Sequence, residues 1–266
     1  MSRRGRRGGA VGARDSLAAL ARDVVACTRC PRLRRHCEQV AAVRRRRFAA
    51  WTYWGRPVPG FGDPRAGLVV IGLAPAAHGA NRTGRMFTGD GSGDWLIRAM
   101  HRAGFANRPT SVRRGDGLRL INAYLTAPVR CAPPMNKPAP AEITRCLPFL
   151  ERELALLPRA EVVVALGRIG FDVCRRLFAA RGAATRGLRF AHAAVYDLRP
   201  RGPVLIASYH PSRQNTNTGR LTEPMLNGVF QQARRMLDGR GIAEPGAPLM
   251  PIHRRPARVE GGTDRV

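Results

Sequence analysis

The chain has 266 residues, with 46 Lys plus Arg against 18 Asp plus Glu and a formal net charge of +28, long enough for one large domain or two small ones with a substantial core. Its longest apolar runs, near 68–77 and 162–166, fall well short of the ~20 residues that a membrane span needs, and its six cysteines are too sparse for a secreted disulfide framework. The charge points to a polyanionic partner, although Lys137 is the sole lysine and so strong a skew toward arginine carries a share of codon bias.

Residues 1–15 are Arg, Gly and Ala with almost nothing that packs, and read as a flexible basic arm. The opening Met-Ser-Arg-Arg-Gly-Arg-Arg is not followed by the apolar core of an export signal, so a cytosolic protein is expected. Helical patterns cover 16–26 and 32–47. The first buried strand is expected over 68–73, followed by a helix over 93–104 and a second strand over 118–125. Then come a helix over 140–157, a strand over 161–166, a helix over 168–180, a strand over 204–209 and a helix over 224–237. From 239 to 266 the prolines at 245, 248, 251 and 256 predict a flexible tail. The four strand runs are apolar without alternation, so both faces of the sheet need cover. The alternation of strands and helices predicts the α/β class: a three-layer α/β/α sandwich with a central four-stranded, mostly parallel sheet in a single domain over 16–238.

Ligands of such sheets bind beyond the carboxyl ends of the strands, so the loops there are the candidate site. They are Gly72-Leu73-Ala74-Pro75-Ala76-Ala77-His78-Gly79 with its continuation through Phe87-Thr88-Gly89-Asp90, the segment Arg130-Cys131-Ala132-Pro133-Pro134-Met135-Asn136-Lys137-Pro138, and His210-Pro211-Ser212 with the polar run to Gly219. Cys27 and Cys30 form a Cys-x2-Cys pair, and Cys131 and Cys146 supply two more thiols. Four thiolates can hold a zinc ion or a cubane iron-sulfur cluster, and the wide spacing of the second pair favours iron-sulfur. Cys37 and Cys174 sit in helical patterns and read as small buried hydrophobes.

Taken in order, Gly72-Leu73-Ala74-Pro75-Ala76, Asn81-Arg82-Thr83-Gly84-Arg85, Phe87-Thr88-Gly89-Asp90, Arg130-Cys131-Ala132-Pro133-Pro134 with Asn136-Lys137-Pro138, and His210-Pro211-Ser212 resemble the family 5 (type b) uracil-DNA glycosylases over roughly 17–238. The resemblance implies a monofunctional glycosylase of base-excision repair. Such an enzyme flips uracil out of DNA and hydrolyses the N-glycosidic bond to leave an abasic site, with hypoxanthine and xanthine as expected further substrates. It also implies a [4Fe-4S] cluster on Cys27, Cys30, Cys131 and Cys146. Gly72, Ala74, Pro75, Ala76 and Phe87 become the substrate-binding wall, with Phe87 suited to stack on the flipped ring; on its own it could equally be a core aromatic.

By the same resemblance Asn136 reads the pyrimidine edge, while the position at which related families keep a strand-end Asn is Ala127. His210 is placed to donate to uracil O2 as charge develops there, its bland alternative being a cap on loop backbone. The first motif holds no carboxylate or amide, so Asp90 becomes the candidate that polarises the water or stabilises the sugar cation; by itself it also reads as a helix N-cap. His78 is a weaker helper. Arg213 and Arg220 are expected near phosphates, with Gln214 or Asn215 as the wedge that enters the duplex. Lys137, beside Asn136, is expected to contact phosphate or solvent rather than to form a Schiff base. The expected partner is DNA carrying uracil or other deaminated bases, bound by a monomer with no membrane contact. A non-catalytic iron-sulfur DNA-binding protein and a zinc-stapled RNA-binding domain are the competing readings.

Overall fold

The described residues of this computed structural model are 15–239. The expectations for the basic arm and the tail lie outside them, apart from residues 15 and 239. Asp15, the last residue of the expected arm, pairs with Arg152 at 2.6 Å.

Helices α1 (Leu17–Val25) and α2 (Pro31–Val43) open the domain, followed by β1 (Phe61–Gly62) and β2 (Leu68–Ile71). Next come the short α3 (Ala80–Thr83), α4 (Gly91–Arg102), β3 (Ala123–Thr126), α5 (Pro140–Ala155), β4 (Val162–Leu166) and α6 (Gly167–Ala180). The chain ends with β5 (Val195–Asp197), β6 (Val204–Ser208), α7 (Arg213–Asn217) and α8 (Glu223–Leu237). Local chemistry starts these helices. The Ser16, Asp90 and Thr222 side chains accept from backbone N–H groups of α1, α4 and α8, satisfying donors that a helix N-terminus leaves free. Pro31 and Pro140 occupy first-turn positions where no donor is needed.

The sheet has six strands in the order β1-β3-β2-β4-β6-β5. The four central strands are parallel, and β1 and β5 are antiparallel edges. The four-stranded expectation therefore holds for the parallel centre and misses both edges, which are two and three residues long and carry no apolar run. Register brings the strand ends level: Ile71 is opposite Thr126 and Ala165, and Leu166 is opposite Ser208.

Alternate residues of the central strands feed two cores. Leu68, Val70, Leu125, Val164 and Ile206 pack with Leu96, Met100, Val229 and Phe230 of α4 and α8. Val69, Ile71, Val163, Ala165 and Leu205 pack with Leu150, Leu154, Phe171 and Leu177 of α5 and α6. Cover on both faces is why these strands are apolar throughout, each buried Val, Leu or Ile contributing about 1.5–3 kcal/mol.

Three further expectations are corrected. The second predicted strand forms only from Ala123, because Asn122 adopts a φ of 52° and Asp116 accepts from the N–H groups of Val112 and Leu118, tying the preceding segment into a turn. The predicted helix over 32–47 stops at Val43, since Arg44 has a φ of 55°, and the chain re-forms as a 3-10 turn over Arg46–Phe48. The run after His210, expected as a flexible loop, is helical in α7, with Ser212 capping Asn215.

Candidate active site

Loops following β2, β3 and β6 leave one edge of the sheet, as parallel topology requires. After β2 the backbone turns at Gly72, where a Cβ would stand 2.7 Å from the Phe87 ring. Gly72 is therefore the contact on which Phe87 rests, and Phe87 itself holds a φ of 48°, a conformation that costs a bulky residue energy and is kept only where surroundings impose it. The Phe87 and His210 rings lie 6.3 Å apart at a tilt of 34°. His210 in turn packs beside Gly167 at the end of β4. The stacking wall and the imidazole thus come together from β2, β4 and β6.

Asp90 caps α4: its Oδ1 accepts from Gly93 N at 2.9 Å. Its Oδ2 lies so close to the Gly79 backbone that any side chain at Gly79 would collide with it. Burial, opposed by the Gly93 N–H bond and the charge of Arg82, pushes the carboxyl above its ordinary range. The helix-cap alternative is observed in this residue, whose carboxylate also faces the first motif loop.

Burial lowers the His210 imidazole to about 4, so it is neutral at physiological pH. Burial, followed by the charges of Arg45, Arg47 and Arg82, also holds His78 below its usual value; its Nδ1 lies 3.0 Å from the Tyr53 hydroxyl.

The remaining expected residues fall into two groups. Pro75 is buried, Ala74 packs toward the cysteine region, and the Ala76 carbonyl accepts from Gly79 and Asn81 N–H; all three shape the loop. Arg213 and Gln214 are exposed on α7, whereas the Asn215 amide donates to the His210 carbonyl at 2.8 Å and orients that residue. Arg220 lies over the Tyr209 ring at 4.7 Å. Asn136 shares the strand-end edge but stands apart from this group. It is exposed on a turn where Met135 and Asn136 have φ of 53° and 56°, and no hydrogen bond links its side chain to Phe87, Asp90 or His210 among the described residues.

Arg82, within the Asn81–Arg85 motif, takes its role from its environment. It is 3% exposed, donates from Nε to the His78 carbonyl and from Nη2 to the Gly89 carbonyl, each at 2.8 Å, and so pins both loops that meet at Asp90. No sequence pattern announces this, because both acceptors are backbone carbonyls.

Cys27, Cys30, Cys131 and Cys146 line one cavity together with Arg29, Arg34, Arg130 and Arg145. Cys27 and Cys30 come from the turn between α1 and α2, Cys131 from the loop after β3, and Cys146 from α5. The donor set is all thiol with no carboxylate, and four guanidinium groups surround it, which fits a thiolate-ligated iron-sulfur cluster of net negative charge. Among the described residues no three Cys, His, Asp or Glu side chains close on a single-ion site. Cys37 is buried outside the cavity lining and donates to the Ala132 carbonyl at 3.6 Å; Cys174 is buried in the core under α6.

A cavity of about 550 Å3 elsewhere, between α1 and Trp54, is lined by Arg22, Arg34, Arg56 and Arg114. Its lining holds no carboxylate or imidazole. No helix among the described residues is long and apolar enough to cross a membrane.

The profile of the uracil DNA glycosylase superfamily matches residues 59–234. The type-5 uracil-DNA glycosylase of Thermus thermophilus is 51% identical over 82% of this chain and 97% of its own. That of Mycobacterium bovis is 50% identical over 85% and 83%. A type-4 uracil-DNA glycosylase of Pyrobaculum aerophilum is 32% identical over 71% and 86%.

Proposed function

The chain belongs to the uracil DNA glycosylase superfamily and within it to the type-5 uracil-DNA glycosylases, and from that membership we propose how its strand-end crevice releases uracil from DNA. The observation that carries the proposal is the meeting of Phe87, His210 and Asp90 around loops that begin at Gly72 and Gly79. The protein acts in base-excision repair as a glycosylase hydrolase on DNA.

The nucleotide leaves the stack at a cost of a few kcal/mol, and its base lies on Phe87. Asn136, on its solvent-open turn, meets the pyrimidine edge as the DNA strand closes over the crevice. As the bond between C1′ and N1 lengthens, negative charge spreads to uracil O2 and positive charge to the sugar. The neutral His210 donates to O2, and the half-buried Asp90 accepts a proton from the attacking water while its charge opposes the sugar cation. Hypoxanthine and xanthine share the amide-like edge that Asn136 reads, and are proposed as further substrates. Gln214, free on α7, is the proposed wedge in preference to Asn215, whose amide is engaged. Arg213 and Arg220 contact phosphates. The enzyme works as a monomer in the cytoplasm, on the genome.

Cys27, Cys30, Cys131 and Cys146 are proposed to hold a [4Fe-4S] cluster. When bound, it fastens α1, α5 and the Cys131–Asn136 loop together; catalysis proceeds through the residues above. Purified protein is expected to contain iron and sulfide with iron-sulfur visible absorbance, and Cys131→Ser to lose the colour together with DNA affinity. Colourless wild-type protein that carries zinc or no metal would overturn this assignment.

Function is tested on duplexes carrying uracil opposite G, uracil opposite A, hypoxanthine or xanthine, scored for free base and alkali-labile sites. Binding without release of any base from the uracil duplexes refutes it.

His210 makes a separate prediction. Its folded value of about 4 lies below the unfolded ~6.5, so its contribution to stability is complete above pH ~6.5 and declines as pH falls toward 4. Imidazole NMR should show a neutral ring at pH 6, and His210→Gln should lessen the loss of stability between pH 6.5 and 4. A ring that titrates above pH 6 contradicts the neutral-donor role.

A further inference from the structure

The 3-10 turn that interrupts the predicted second helix lies beside the reaction loops, and the catalytic scheme does not use it. Arg45, Arg46 and Arg47 are exposed there, and among the described residues none has a carboxylate partner. Arg44 differs: its guanidinium donates to the Ala41 and Ala49 carbonyls and is occupied within the turn. Three adjacent guanidinium groups repel one another, and among the described residues no carboxylate offsets them, although Arg47 lies over the Phe48 ring at 4.5 Å.

The turn is nevertheless anchored. The Arg82 guanidinium packs into the corner formed by the Phe48 and Trp51 rings, 3.9 Å and 4.1 Å from their centroids, with the two rings edge-to-face at 74°, so it makes a cation–π contact with each. The same guanidinium holds the His78 and Gly89 carbonyls. A second tie runs from Arg45 N–H to the Tyr53 hydroxyl at 3.5 Å and on to His78 at 3.0 Å. The arginine turn is thereby locked to the loop that carries Gly79 against Asp90.

Across the crevice, Arg213 and Arg220 follow β6, which is two strand positions from β2, or about 10 Å at the usual strand spacing. Positive charge therefore flanks the crevice on both sides. A DNA strand whose nucleotide enters the crevice must carry its phosphates past one or both flanks.

We propose that Arg45, Arg46 and Arg47 form a ridge that grips phosphates of the substrate DNA strand, held in register with the reaction loop by Arg82 against Phe48 and Trp51. The proposal rests on DNA being the substrate, and it concerns binding rather than bond cleavage. Phosphate neutralisation releases counterions, so each contact adds about 0.9 to the steepness with which affinity falls against salt on a double logarithmic plot. The triple variant Arg45→Gln, Arg46→Gln, Arg47→Gln should flatten that slope by roughly 2 to 3 on a uracil-containing duplex. A control variant, Arg176→Gln, Arg181→Gln, Arg186→Gln, removes equal charge from exposed positions on and after α6, whose far end points to the opposite sheet edge. It should change the slope by less than about 0.5.

The aromatic anchor is tested by Phe48→Leu with Trp51→Leu, which leaves every arginine in place and should still reduce the slope and the affinity. Equal slopes for the ridge variant, the control variant and wild type overturn the ridge. A wild-type slope in the Leu pair overturns the anchoring by Arg82. Because the slope is read from binding, a protein that binds with the expected slope yet releases no base would refute the glycosylase reading alone.

Discussion

Replacing Asp90 by Asn is expected to slow uracil release by about 10²- to 10⁴-fold, the range general acid–base groups contribute, while the thermal midpoint stays level or rises. Asn keeps the cap, because its carbonyl oxygen can accept from Gly93 N as Oδ1 does now. What is lost is the charge and the proton-accepting capacity. The stability sign follows from the raised folded pKa of Asp90: its contribution is present below the ordinary carboxylate value and is lost as pH rises through the folded value. Ionising this carboxyl in the folded protein therefore costs stability, and Asn, which cannot ionise, avoids that cost. In wild type the same shift should set the acidic limb of the single-turnover rate, with activity falling as pH drops through a value above 3.8. The charged neighbours that tune this limb are Asp94, which raises it, and Arg82, which lowers it. Near-normal release by Asp90→Asn would remove Asp90 from the reaction. A large drop in its melting temperature would recast it as a cap alone.

The second large effect concerns the fold beneath the site. Glu153→Ala is expected to destabilise the protein by about 3–5 kcal/mol, because it leaves a buried charge without its partner. Arg130 and Glu153 are each 1% exposed in their side chains and meet at 2.5 Å, with a second contact at 3.3 Å. The hydroxyls of Tyr124 and Thr126 also donate to this carboxylate. The pair joins the loop that carries Cys131 and Asn136 to the helix that carries Cys146, so its loss should also loosen the thiol cavity. Solvent cannot reach in to compensate. Double replacement, Arg130→Met with Glu153→Leu, removes both charges and should recover much of the loss. Denaturation of single and double variants decides the matter: a single variant within about 1 kcal/mol of wild type would show that the site relaxes and admits water.

Some of this site is legible in the amino-acid sequence. The runs at 68–71, 162–166 and 204–208 are uninterrupted Val, Leu, Ile and Ala with Ser208 at the end, and only a strand covered on both faces uses such a run. Once the strands were placed, the loops at Gly72, Arg130 and His210 had to share an edge, since parallel strands all end on the same side. The four thiols are legible by residue type and by resemblance. Asn136 was expected with the catalytic group but stands on an open turn, because successive left-handed residues turn its backbone outward. Asn215 was named as a wedge, yet it turns back to the His210 carbonyl. The helical period read through 43–47 could not register that Arg44 would leave the helix.

The amino-acid sequence by itself determined the α/β class, the parallel centre of the sheet, the loops that carry the site and the thiols that surround one cavity. These depend on local patterns of burial and on covalent order, which a linear string contains. Only the tertiary structure decided the Arg130–Glu153 pair, the Arg82 clamp against Phe48 and Trp51, the edge strands and the protonation of Asp90 and His210. Each arises between groups distant in the chain or from the removal of water around one group, and desolvation is a property of the folded surroundings that residue type alone does not encode.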